Sequence, residues 1–402
     1  MSPEEATDPA TEAEAAPASQ PALAAEPASG TALAPEPAPG AAAAPDPGAA
    51  AAPEPAQPTL GDPPGAIEPG DAFAAAGRKA MWPHVERLIT REALLADPEQ
   101  VDALKRYRVA TRRLRAALRV FREAFAGKAT RDIRRGLSDL ADAVGTVRDL
   151  DVRIGGLADW AKAQEPDLSA AVEPMRAAWA AQRAAGSEAL LHHLATRRHA
   201  RLREDLIEFV SGAGDGDAAA DADESPARTI RDRAGSETWA AFEHVRAYTT
   251  IVRWADLATL HQLRIEAKRL RYTLEFLAPL LGAEQPRLIV QLVALQDHLG
   301  ALNDATIASD ATRAFLGEHH ASLPPDARAA VERYLADRER AVRVLRRSLG
   351  RFWRPIASPS FARRLAQAAA GPRPKPRPRV RTGARPSAAA VTAIATAESP
   401  AT

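Results

Sequence analysis

One pattern is written twice in this chain. "YRVATRRLRAALRVFREAF" runs from Tyr107 to Phe125, and "LRIEAKRLRYTLEFLAPLL" runs from Leu263 to Leu281. Arg108, Arg112, Arg113 and Arg115 of the first are answered by Arg264, Lys268, Arg269 and Arg271 of the second. The repetition extends beyond these segments. "LADAVGTVRDLDV" (Leu140–Val152) is answered by "LQDHLGALNDATI" (Leu295–Ile307). Gly145 and Gly300 lie 155 residues apart, as do Asp149 and Asp304, and Arg108 and Arg264 lie 156 apart. A nearly constant offset across separate landmarks is the mark of an internal duplication and not of one recurring motif. Whatever the first half folds into, the second half is expected to repeat.

Both segments read as helices. On a wheel of 3.6 residues per turn, Lys105, Arg108, Arg112, Arg115, Arg119 and Arg122 form one stripe, and all six are basic. Leu104, Tyr107, Thr111, Leu114, Leu118 and Phe121 form a largely apolar stripe about a quarter turn away. In the second segment His261, Arg264, Lys268 and Arg271 form the polar stripe, which ends at Glu275. Leu260, Leu263, Ala267, Leu270, Leu274 and Leu277 form the apolar one. Arg113 and Arg269 fall off the stripe in both. Like charges one turn apart repel by a few tenths of a kcal/mol per pair, and an ordinary solvated face mixes glutamate among its arginines. The first stripe has none, which favours a surface that needs its charge. The competing reading is that long arginine stems cover apolar surface while their heads remain in water.

Composition supports an anionic partner. Residues 1–70 hold eleven Asp and Glu and no Lys or Arg, so the formal net charge of +1 hides a body of 53 basic against 41 acidic residues. That first segment is nearly all Ala, Pro, Glu, Gly and Ser, and it buries too little apolar area to offset its ordering entropy. We read it as a disordered acidic tail. Residues 371–402 read as a basic Pro/Arg tail, also disordered, because proline at every second position of "GPRPKPRPRVR" forbids helix. Residues 211–227, "SGAGDGDAAADADESPA", read as an acidic flexible linker. Residues 71–210 and 228–370 are then the two halves, each of about five or six helices. "DPEQ" at 97–100 resembles a helix start, and Gly127, Gly145, Gly282 and Gly300 read as punctuation.

The chain has no cysteine, which excludes disulfides, thiolate metal sites and a cysteine nucleophile. The acidic start is unlike a secretory signal, and no apolar run of about 18 residues suggests a membrane span, so a cytoplasmic location is expected. No GxSxG, P-loop or Rossmann fingerprint is present. His192, His193 and His199 have no tight zinc spacing, and Asp149 and Asp304 read as acceptors for helix-start amides or for the arginine stripes. No metal, cofactor or catalytic residue is expected.

"RVATRRLRAALRVF", "VGTVRDLDV", "LHQLRIEAKRLRYTLEF" and "LQDHLGALNDA" resemble the paired signatures of the CHAD family, the conserved-histidine α-helical domain. The resemblance covers about residues 72–366. It implies an all-α fold of two pseudo-symmetric antiparallel helical bundles around a basic cavity that binds inorganic polyphosphate, association with polyphosphate granules, and no catalysis. Carried over by position, the binding candidates are Arg108, Arg112, Arg113 and Arg115 with His261, Arg264, Lys268, Arg269, Arg271 and Tyr272; the stripe adds Lys105 and Arg119. Lys105 stands where the family usually has histidine, which leaves a cationic contact but removes an imidazole. The triphosphate-tunnel domain that often adjoins this family would show an ExExK strand motif, and none is found, so a stand-alone member is expected. Granule proteins are further expected partners. The rival reading is a basic helical protein that binds nucleic acid without sequence preference.

Overall fold

The computed structural model describes residues 60–97, 102–125, 127–212 and 229–371, and every element there is helical apart from one isolated bridge between Ala72 and Thr229. The expected tail beyond residue 371, most of the expected acidic tail and most of the expected linker fall outside these residues, as does most of "DPEQ". Before residue 213 lie α1 (Phe73–Glu92), α2 (Ala103–Val120), α3 (Lys128–Lys162), α4 (Pro166–Ala171), α5 (Glu173–Leu194) and α6 (Arg197–Ser211). After residue 228 lie α7 (Ile230–Arg246), α8 (Leu257–Phe276), α9 (Gln285–His319), α10 (Pro325–Ile356) and α11 (Pro359–Ala369). The all-α expectation holds.

The two cationic segments are α2 and α8. Each is followed by a short 3-10 turn and then by a 35-residue helix, α3 or α9, which at 1.5 Å per residue is about 52 Å long. The apolar stripes read from the wheel are the buried ones. Tyr107, Leu114 and Phe121 are fully buried, as are Leu263, Ala267, Leu270, Leu274 and Leu277. Arg122 is an exception to the helical stripe, because α2 ends at Val120 and Arg122 opens the turn. Helix starts are fixed locally. The Asp256 carboxylate accepts from the Thr259 amide at 2.7 Å, and the Asp232 carboxylate accepts from the Thr229 amide at 3.0 Å.

Gly145 and Gly300 do not punctuate; both lie inside the long helices. The buried series Leu137, Leu140, Val144, Val147 and Leu150 runs straight past the first, and Leu292, Leu295, Leu299 and Leu302 run past the second. Continuous burial at helical spacing outweighs the roughly 0.5–1 kcal/mol a glycine costs within a helix. Gly282 does mark a break. A Cβ there would meet the backbone oxygens of Gln367 and Gly371 at 3.1 Å, where the chain passes close under α11.

The helices gather around two separate apolar cores. The larger one joins α1, α2, α6, α7, α8 and α11 to parts of α3, α9 and α10, and it includes the direct packing of α2 on α8. Leu60 and Ile67, at the end of the acidic segment, are half-buried against it. The smaller core lies where Leu157 and Trp160 of α3, Met175 and Trp179 of α5, Phe315 of α9 and Val331 and Tyr334 of α10 meet. There the Tyr334 ring lies 5.2 Å from that of Trp160, and the Trp160 indole donates to Asp337 at 2.8 Å. A third feature ties the end of α1 to α2 and α6. The Glu92 carboxylate, nearly buried, accepts from the Tyr107 hydroxyl at 3.0 Å, meets the His199 ring at 2.7 Å and meets Arg203 at 3.3 Å.

Removing Glu92 would leave three polar groups without their shared acceptor. Glu92→Ala is expected to lower unfolding free energy by about 3 kcal/mol in a urea titration. Tyr334→Ala is expected to cost a similar amount, about 3–5 kcal/mol.

Candidate anion-binding groove between the cationic helices

The packing of α2 on α8 brings the two cationic stripes together. Both apolar stripes enter the same core, so the neighbouring stripes must border the same line of contact. Arg108 and Arg112 of α2 and Arg264, Lys268 and Arg271 of α8 are all half-buried there. Arg148 of α3 joins them. Among these, Arg108, Arg112, Arg264 and Lys268 have no ion pair with a carboxylate, and the Nε atoms of Arg112 and Arg264 are buried without a hydrogen-bond partner.

The charges feel one another across the contact. Burial, followed by Arg264, Arg112, Arg108 and Arg271, pushes the Lys268 ammonium down to about 7. Burial also lowers Arg108, with Arg112, Arg148 and Arg264 acting in the same sense and Asp149 opposing. Arg264 is lowered chiefly by burial, which Asp304 and Asp149 oppose and Arg112 reinforces. Asp149 and Asp304 thus act on the stripes through their charge, and neither accepts a hydrogen bond or forms an ion pair with the arginines there. Neither caps a helix start, since both lie in mid-helix.

Tyr272 and Glu275 make this crowding tolerable. The buried Tyr272 ring has the guanidinium carbons of Arg271, Arg113 and Arg112 at 5.0, 5.4 and 5.8 Å, so one aromatic face region serves cations from both helices. Glu275 meets Arg113 across the contact at 2.6 Å and Arg271 along its own helix at 3.6 Å. His84 of α1 lies behind them, pushed down to about 3 by burial, Arg113 and Arg87. It accepts from Arg87 at 3.2 Å and adds no charge near neutral pH.

The other candidates are placed as follows. Arg113 is held by Glu275, and Arg269 is held by Glu266, so both off-stripe arginines already have carboxylate partners. His261 is exposed, and its Nδ1 donates to the Asn303 side-chain oxygen of α9 at 2.8 Å. Lys105 and Arg119 are exposed at either end of the α2 stripe, and Arg115 is half-buried within it. Gly300 lies under Arg264, where a Cβ would rest 3.7 Å from the guanidinium. Arg148 was missed by the wheel analysis because no other basic residue lies within a turn of it on α3, and only tertiary packing brings it beside Arg108. Among the described residues no three His, Asp or Glu side chains gather as a cation site requires, and no helix is long and apolar enough to cross a membrane.

The CHAD domain family model matches residues 79–313, more than half the chain and including both cationic helices. The chain belongs to the CHAD family. No curated protein matches it in sequence. Among solved structures, the CHAD domain of the plant Ricinus communis is similar with 21% identity and a TM-score of 0.56, covering 71% of this chain and 93% of that one. PptA from Streptomyces chartreusis is similar with 16% identity and a TM-score of 0.54, covering 71% of this chain and 98% of that one. At these identities the likeness is one of fold. The sequence resemblance to the CHAD signatures is thereby upheld.

Lys268 in this CHAD protein places a cost on the fold. Its pKa lies below the ordinary lysine value, so between about 7 and 10.5 the unfolded chain binds more protons and stability rises with pH. Lys268→Met is therefore expected to raise stability by about 1–2 kcal/mol at pH 7 and to lose that advantage as pH approaches 10.5. Denaturant melts of both proteins across this range provide the check.

Proposed function

We propose that this protein is a non-catalytic binder of inorganic polyphosphate, held in the groove between α2 and α8. The observation that carries the reading is the convergence of half-buried Arg108, Arg112, Arg264 and Lys268 without carboxylate partners. Uncompensated guanidinium forks at one locus suit a ligand that presents phosphoryl oxygens in series. Arg148 and Arg271 extend the surface, and Tyr272 orders the forks around its ring. Membership of the CHAD family points the same way. We read α2 to α3 and α8 to α9 as copies of one ancestral unit, which provides one cationic stripe per copy. Association with polyphosphate granules follows if the groove takes internal stretches of a long chain.

Binding should be strongly salt-dependent, because each neutralised phosphate releases counterions. Duplex DNA of equal total charge, added near physiological salt to the complex with labelled polyphosphate, separates this reading from the nucleic-acid one. Polyphosphate should remain bound, and equal displacement by DNA would leave only a basic surface. Arg112→Glu with Lys268→Glu is expected to lower affinity about a hundredfold or more. Arg113→Gln should change affinity less than about threefold, because Arg113 serves Glu275 and its loss appears in stability.

Lys268 also supplies a pH signature. Phosphate bound beside it favours the charged form, so above pH 7 binding takes up a proton. Affinity should fall by up to about tenfold per pH unit as pH rises above 7. Calorimetry in buffers of different ionisation enthalpy should show this uptake in the wild type and its absence in Lys268→Arg.

A further inference from the structure

A second cationic site lies on another part of the molecule. From Arg343 to Gly371 the sequence has seven arginines and no Asp or Glu. Arg347, Arg351 and Arg354 follow one another at spacings of 4 and 3 on α10, so they share one face over about 10 Å. All three are exposed, and none has a carboxylate partner. They line a cavity of about 650 Å³ together with Ser348, Ser358, Ser360 and Gln291.

Several features of this corner are suited to oxyanions. Helix α11, 11 residues long, starts here with Ser358 as its N-cap, so its positive end faces the arginines. The Ser358 hydroxyl donates to the Pro355 carbonyl at 2.7 Å and accepts from the Phe361 amide at 3.2 Å, whereas the Ser360 hydroxyl, 2.8 Å from it, can turn to donate outward. The Gln291 amide oxygen is buried without a partner. Half a turn of that amide presents its NH2 group instead, so the side chain is not committed to any neighbour. Gln291 and Gly300 are nine residues apart on α9, two and a half helical turns, which puts the corner on the opposite side of α9 from the groove.

We infer that the α10–α11 corner is a second, independent site for a condensed-phosphate chain, so that one molecule holds two phosphate segments on opposite sides of α9. The ligand class rests on the function proposed above, whereas the site itself rests on the corner's own residues. The guanidinium groups of Arg347, Arg351 and Arg354 take the phosphoryl oxygens, with the Ser360 hydroxyl and the turned Gln291 amide at the margin.

The experiment is a calorimetric titration of the full chain with tripolyphosphate at low salt. The wild type should bind two equivalents. Arg347→Ser with Arg351→Ser and Arg354→Ser should lose one, and their exposure and lack of partners leave the fold intact, which circular dichroism verifies. The corresponding triple change to lysine keeps the charge but not the planar forks, and it should weaken that equivalent about threefold or more. If the serine variant loses no equivalent, or the lysine variant binds as the wild type does, the inference falls. The groove variant with Arg112→Glu and Lys268→Glu tests the other reading separately. If it loses nothing while the serine variant loses one equivalent, the groove assignment fails and the corner stands.

Discussion

A helix that buries a leucine stripe beside an arginine stripe cannot pack against its like without bringing the two rows of cations together. This constraint governs the α2–α8 contact. The apolar free energy of Leu114, Leu118, Leu263, Leu270 and Leu274 drives the helices into one core. The rows of Arg108 and Arg112 on one side and Arg264 and Lys268 on the other are then juxtaposed whether or not this is favourable. Glu275 and Tyr272 reduce the repulsion but do not remove it, and it adds to the burial that chiefly depresses Lys268.

Much of this was legible in the sequence, for a definite reason. Helical periodicity determines which side of α2 and α8 is buried, and the buried sides lie as the wheel places them. The wheel also set Arg113 and Arg269 apart from the stripe, and the structure gives each a carboxylate partner. What the sequence could not give was the company the stripe keeps. Arg148 reaches the groove from α3 by tertiary packing, and no local pattern marks it. Glycine misled the reading because its conformational freedom is a weak local signal. At Gly145 and Gly300 it was overruled by the apolar series that continues through both helices.

The corner of α10 and α11 was hidden for a different reason. Its arginines lie in a segment with no counterpart among the quoted motifs, and their interest comes from the turn that folds α11 back beside them. Charge composition alone shows a basic region. The cavity, the uncommitted amide and the helix start make it a place.

Helices α3, α9 and α10 each pass from the large core into the small one, so their two ends are held by clusters of unequal size. Opening the smaller cluster requires less surface to be exposed than unfolding the whole, and opening free energies scale accordingly. A single unbroken helix therefore has graded permanence along its length. Amides near Trp160 should exchange with solvent before those beside Leu140, although both lie in one continuous helix. The rod is continuous, but its lifetime is not.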